Sequence, residues 1–478
     1  MALLAEVWTA LTGEADGAQR TPTQEGKHLA GESCEPAPPA AVRLTGELDL
    51  LPSVFPVLEV AVAAAGSALL AAAGLESLRT GEAAPDVELD TRQLACALRS
   101  EHLVRRNGQP AGRGFGPLSQ FFRARDGWIR LHANYPWHQQ RLLEVLGTAA
   151  EPDAVASAVA GWSAVPLEDA IFGAGGCAAA VRRPEEWRAQ PQGAAIDQLP
   201  LLELLPAAES ARGLRLGGPF VLSGVRVLDF TRVIAGPVCT RLLGALGADV
   251  LRIDTPNLPE NESNALDSLA GKRSAFLDLE RPEDRRRLGE LLDGADVVVQ
   301  GYRPGALARF GLSADELVAR WPGLTLLSLS AWSHAGPWAG RRGFDSLVQA
   351  ACGIDQCEAA GADKPGVLPC QLLDHTTGYL AAAAVLTALS RRYTDGSTWH
   401  ARVSLAQTAA WVLRQPVRPK TQDVSLDPSP YLAELDSPAG RVALVTPPGR
   451  LGSRPLSWPT PLARYGADRP EWLASVPA

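Results

Sequence analysis

The feature that most constrains this chain is a regular alternation of apolar runs and helical segments between residues 224 and 330. GVRVLDF (224–230) reads as a strand, TRVIAGP (231–237) as a turn, 238–246 as a helix ending at Gly247, and ADVLRID (248–254) as a second strand. Such a β-α-β unit places its strands side by side and parallel, with a right-handed crossover. Further strands are expected at 274–279, 295–301 and 324–330, with helices at 282–292 and 314–321 between them. A long Ala-rich helix at 375–392 and a strand at 441–447 precede a Pro-rich tail. The fold class implied is α/β, a Rossmann-like doubly wound parallel sheet.

The preceding half has a different texture. Residues 14–45 are polar and Pro-rich and read as loop or linker. Residues 51–110 are apolar and helical in pattern. The stretch 118–147 reads as strand, Asp126-Gly127 turn, strand and helix, followed by helical patterns at 153–160 and 167–172 and a helix start at Pro184. Residues 200–220 are rich in Pro and Gly and read as a linker. The expected organisation is therefore an N-terminal segment (1–50), a helical region (51–112), a smaller α+β domain (113–205), a linker (206–222) and the Rossmann-like domain (223–478).

Composition narrows the function classes. Of 478 residues, 46% are hydrophobic and 21% charged, enough to bury a large core. The net charge of −8, from 45 Lys and Arg against 53 Asp and Glu, argues against a nucleic-acid partner. The most apolar stretch, 60–75, reads as too short and too weakly apolar to span a membrane. The N-terminus lacks a basic region followed by a cleavage pattern. Seven scattered cysteines without C-x-x-C spacing fit a reducing compartment, and a cytoplasmic location is the expectation.

Two segments match in order and spacing: Leu51 to Leu98 and Leu368 to Leu413. Each runs Leu-Pro, an acidic residue, an Ala-rich helix, a Gly turn, Val-x-Leu and a second apolar helix. Two readings are open, chance similarity of Ala-rich helices or a decayed duplicate in which Glu59 takes the place of Asp374.

No Gly-x-Ser-x-Gly, His-Glu-x-x-His or phosphate-loop motif occurs, and the first strand is followed by Arg232-Val-Ile-Ala-Gly236 rather than a dinucleotide fingerprint. A turn from strand to helix N-terminus can still hold an anion. Asp374, at the start of the Ala-rich helix, is either an N-cap or a nucleophile kept ionised by helix N–H groups. His375 beside it points elsewhere on the helix and is not expected to form a dyad with it. His334 reads as a loop residue.

The run GVRVLDFTRVIAGPVCTRLLGALGADVLRIDTPNLPE, with GKRSAFLDL (271–279), VVVQGYRPGALARFGL (297–312) and RGFDSLVQAACG (342–353), resembles the family III CoA-transferases. The motifs lie in family order across 224–413, and 115–147 with 180–193 resemble the family's small domain. In ordinary members that domain follows the Asp-bearing helix; here it precedes the Rossmann half, as though 51–220 were the back of a first copy and 221–478 the front of a second. The resemblance implies CoA transfer from an acyl-CoA donor to a free carboxylic acid through aspartyl anhydride and aspartyl-CoA intermediates. It implies no permanently bound cofactor, coenzyme A as substrate, and an interlocked homodimer. Asp374 matches the nucleophile and Asp345 a nearby acidic position. Val233, Ile234, Ala235, Leu277, Gly301, Tyr302, Arg309 and Arg342 match CoA-contacting positions, while Gly112, Gly114 and Gly116 match a Gly-rich covering loop. This sequence departs from the family at Glu280 and Thr255, where basic residues are expected, and at Phe344, where racemases of the same fold carry His. The alternatives are such a racemase or a non-catalytic acyl-CoA-binding paralogue.

Overall fold

The computed structural model describes residues 2–13, 41–111, 114–210, 213–214, 216–420, 422, 424–438 and 440–473. Most of the expected 14–45 linker and Gly112 lie outside the described residues. The central sheet has seven strands, in the spatial order Arg273–Phe276, Asp249–Asp254, Arg226–Phe230, Val297–Gln300, Thr325–Ser330, Ser397–Ser404 and Glu203–Glu209. The first six are parallel and the last is antiparallel to Ser397–Ser404. Among the six parallel strands the order is third, second, first, fourth, fifth, sixth, that of a dinucleotide-binding sheet. Val227, Leu228, Val250, Leu251, Val298 and Leu326 are buried because helices cover both faces. Pro282–Gly294 and Ala314–Arg320 cover one face; Ala235–Ala245 and Leu372–Asp395 cover the other.

A smaller α+β unit precedes this sheet. Phe121–Arg123, Trp128–Leu131 and Ala178–Ala180 form an antiparallel sheet under the helices Pro136–Leu146, Pro152–Ala160 and Ala164–Gly173. Three expectations need correction. The expected linker contains Glu203–Glu209, a strand at the edge of the main sheet, where Pro206 lacks only a donor that an edge does not require. Val42–Thr45, read as the end of a linker, is a strand. The stretch 60–75 belongs to a 24-residue helix, Val57–Thr80. That helix and Leu372–Asp395 are both long and apolar enough to cross a membrane, yet 89% and 94% of their apolar windows are buried inside the protein.

These two helices pack against each other and match in length, in their ends and in the place of an acidic residue. Each has 24 residues. Pro56 (φ −77°, ψ 67°) precedes one and Gln371 (φ −76°, ψ 63°) the other; left-handed Gly81 (φ 72°) and Gly396 (φ 77°) end them. Glu59 and Asp374 are both third in their helices. Each helix leads to a strand and then to a helix capped by a side chain, Asp90 or Ser404. The strands correspond too. Val42–Thr45 pairs parallel with Val87–Asp90, as Thr325–Ser330 does with Ser397–Ser404. Outside each pair lies an antiparallel strand distant in sequence: Arg450–Leu451 beside Val87–Asp90, and Glu203–Glu209 beside Ser397–Ser404.

Candidate active site

Arg226–Phe230 and Val297–Gln300 are neighbours, and the strand order runs outward in opposite directions from them. Beyond their carboxyl ends a crevice must open. A cleft of about 690 Å³ lies there, lined by Val233, Ala235, Leu277, Gly301, Tyr302, Arg342, Phe344 and Asp374, with Tyr135, Trp137 and His138 from the smaller unit.

The turn after the first strand is held from below and from the side. Below it, buried Asp229 accepts from the Thr231 N–H (2.9 Å), the Thr240 hydroxyl (2.7 Å) and Lys272 Nζ (2.8 Å). At the side, the Glu260 carboxylate accepts from the Val233 N–H (3.1 Å) and the Tyr135 hydroxyl, and lies 3.5 Å from Arg252. Burial alone would raise the Glu260 pKa, but Arg252 and Arg232 together hold it below the usual carboxylate range. Val233 has φ 67°, a left-handed conformation that a β-branched residue adopts only under constraint. Gly236 permits the tight return, since a Cβ there would lie 2.2 Å from the Thr231 side chain. Gly378 lets the Asp374 helix approach the turn, since its Cβ would lie 2.5 Å from the Ala235 carbonyl oxygen.

Asp374 sits in the first turn of Leu372–Asp395, 8% exposed, on the wall of the cleft. Its carboxyl makes no hydrogen bond with a described residue. Its backbone N–H donates to Asp345 Oδ2 (2.9 Å), and Gln349 Nε2 donates to Asp345 Oδ1. On the adjoining residue, His375 Nε2 lies 3.1 Å from Glu101 Oε2. Burial, then Asp345 and then Glu101, pushes the Asp374 carboxyl well above the ordinary carboxylate value. Burial raises Asp345 as well, against the hydrogen bonds from Gln349 and the Asp374 N–H. Glu59, third in the matching helix, is instead neutralised by Arg418 at 2.8 and 3.1 Å.

The family model described as CoA-transferase family III matches residues 222–425. That stretch is less than half of the chain, and the match shows what residues 222–425 are similar to. Similar curated proteins include an acetyl-coenzyme A transferase, nodX, of Hypoxylon pulicicidum, 35% identical over 199 residues, covering 40% of this chain and 34% of that one. A probable fatty acyl-CoA transferase of Mycobacterium tuberculosis, Rv3272, is 36% identical over 188 residues, covering 37% of this chain and 48% of that one. The crystal structure of Rv3272 aligns with a TM-score of 0.39 and 33% identity, over 41% of this chain and 57% of that one. The chain thus spans about half or less of the length of these curated relatives.

Seven of the eight positions expected to contact CoA line the cleft together with Asp374. The exception is Ile234, which turns into the core beneath the turn as the residue preceding helix Ala235–Ala245. Asp345 is not on the cleft wall; it stands behind Asp374. Arg309 lines the cleft, but its guanidinium is paired with Glu280 at 2.6 Å, whereas the Arg342 guanidinium has no acidic partner among the described residues. His334 Nδ1 lies 3.3 Å from Glu203 Oε2 without a hydrogen bond.

Sequence reasoning missed the aromatic wall. Phe344 stacks on His132 (centroids 3.7 Å apart) and meets His138 edge-on (5.8 Å), and Tyr135 stacks on Trp137 (4.8 Å). Burial, then Arg342 and Arg232, lowers His138 to about 4, and burial lowers His132 well below its usual value, so both rings are neutral at pH 7. The one available signal was the density of aromatic and His residues in 132–138, HANYPWH. Arg232 was quoted only as part of the turn, yet its guanidinium lies over Tyr135 and Trp137, 5.3 and 5.9 Å from the ring centroids.

Proposed function

We propose that the chain is a CoA-transferase that moves CoA from an acyl-CoA to a free carboxylic acid, with Asp374 as covalent nucleophile. The observation that carries this reading is the Asp374 carboxyl, unpartnered on the wall of the cleft and seated on a helix N-terminus. An Asp374 oxygen attacks the thioester carbonyl, the C–S bond breaks, and CoA thiolate leaves an aspartyl anhydride. The thiolate attacks the aspartyl carbonyl and expels the donor acid, leaving aspartyl-CoA. The acceptor carboxylate then attacks aspartyl-CoA and releases the thiolate. Attack of that thiolate on the acceptor's acyl carbon forms the new acyl-CoA and frees Asp374. Splitting one exchange between anions into activated steps is the gain of covalent catalysis. Coenzyme A is a substrate in this scheme, with no permanently bound cofactor.

The test is intact mass after mixing with a panel of acyl-CoAs and trapping with hydroxylamine. An adduct on Asp374 is expected; absence of any adduct despite measurable CoA binding transfers the assignment to a binding paralogue. A racemase needs a proton acceptor on each face of the carbon, and Phe344 supplies none at its position.

Two further outcomes follow from the cleft. Asp345→Asn removes a like charge beside Asp374, so ionised Asp374 is favoured and its pKa falls. The acid limb of kcat/KM against pH is expected to move to lower pH, and an unmoved limb removes Asp345 from this role. Arg342→Gln is expected to raise KM for acyl-CoA about tenfold, and Arg309→Gln by less, because Glu280 already occupies Arg309.

We further propose that residues 42–98 and the corresponding part of 325–413 descend from one duplicated unit. The matched helix lengths, caps and strand pairings support it. On this reading Glu59, closed off by Arg418, is a relic, and one chain supplies what two copies share in the family's interlocked homodimer.

A further inference from the structure

A second cavity, of about 150 Å³, opens beside the cleft at the carboxyl ends of the fourth to sixth parallel strands. It shares Tyr302, Arg303, Leu329 and Ser330 with the cleft wall, but Asp374 does not reach it. Its lining follows from strand alternation. Ser328, Ser330, His400 and Arg402 are spaced by two on their strands, and Ser328 is the register partner of Arg402. Gln300 Nε2 donates to the Ser328 hydroxyl (3.0 Å), which contacts His400 Nε2 at 2.9 Å, so this side is a fixed polar wall.

The charges do not balance. Arg402 is the register partner of Glu203 across the antiparallel pair but makes no ion pair with it; Glu203 Oε2 lies 3.3 Å from His334 Nδ1 without a hydrogen bond. The Arg402 guanidinium makes no ion pair or hydrogen bond with any described residue, and the Ser330 hydroxyl is likewise uncommitted. The other guanidinium on the lining, Arg303, gives one N–H to the Gly340 carbonyl (3.1 Å) and faces no carboxylate among the described residues. His400 is neutral at pH 7, since burial and then Arg402 lower it to about 4. Two arginines therefore line a space large enough for several waters.

We propose that this cavity is a second anion site, which takes a small oxyanion, a carboxylate or a phosphate, on Arg402 and Ser330. The guanidinium fork matches two oxygens of such a group and the hydroxyl supplies a third donor. The proposal stands apart from the thioester chemistry and from Asp374.

The test is calorimetric titration of the full chain with inorganic phosphate and, separately, with succinate, both at saturating coenzyme A so that the cleft is filled. Saturable one-to-one binding of either probe is expected, weakened about tenfold or more by Arg402→Gln. The probe that binds tells phosphate from carboxylate. Should Arg402→Gln fail to fold, Arg402→Lys, which keeps the charge but loses the fork, and Ser330→Ala give the same comparison with smaller losses. Absence of saturable binding for both probes, or equal affinity in wild type and the Arg402 variants, overturns the proposal. Binding seen in a parallel titration without coenzyme A but not at saturating coenzyme A overturns it too, because the anion then occupies the cleft.

Discussion

Asp374→Asn is expected to abolish CoA transfer, by about 10⁴-fold or more, and at the same time to stabilise the protein at neutral and alkaline pH. The two effects share a cause. The carboxyl is buried beside Asp345 and within the field of Glu101, so its folded-state pKa lies well above the ordinary 3.8. A carboxyl whose pKa is raised on folding contributes stability that is fully present below its unfolded value and is lost as pH rises through its folded value. An amide of the same shape carries no such loss. Melting curves of wild type and Asp374→Asn are therefore expected to coincide below the ordinary value of 3.8 and to separate as pH rises above it, the variant melting higher. A variant that melts lower at pH 8 would mean that the carboxylate is held by favourable interactions rather than strained by its neighbours.

Lys272→Met is expected to destabilise the fold by about 3–5 kcal/mol, the cost of leaving a buried charge without its partner. Lys272 Nζ and Asp229 meet at 2.8 Å with neither side chain exposed to solvent. Asp229 also organises Thr231 and Thr240, so the lost cation loosens the turn that carries Val233. Urea denaturation at pH 7 measures the loss. The exposed pair Arg309–Glu280 is the comparison: its removal is expected to change stability little, since solvent screens it.

The six parallel strands were legible because each is an apolar run covered on both faces, a pattern that survives without knowledge of partners. Glu203–Glu209 was not. An edge strand with Pro206 carries no such pattern and is defined by its antiparallel neighbour, Ser397–Ser404, almost two hundred residues later. The site divides in the same way. Asp374 and the turn at Val233 could be placed by motif, because both lie within a contiguous stretch of the Rossmann half. The wall of Tyr135, Trp137 and His138 arrives from a separate unit, and no spacing rule connects it to Phe344. Arg309 looked like a phosphate ligand because its charge was visible and its pairing with Glu280 was not.

The mutual packing of Val57–Thr80 and Leu372–Asp395 has a consequence for how the chain comes off the ribosome. The first helix is complete 292 positions before the second begins. At synthesis rates of about 5–20 residues per second, a helix with apolar residues on every side waits roughly 15–60 s for the surface that will cover it. The long-range bonds that lock the arrangement, such as Glu59 to Arg418 across 359 positions and Glu6 to Trp411 across 405, form only when nearly the whole polypeptide has emerged. Biogenesis of this protein thus resembles the meeting of two partners on one thread, with a high contact order and a nascent apolar segment that calls for chaperone shelter.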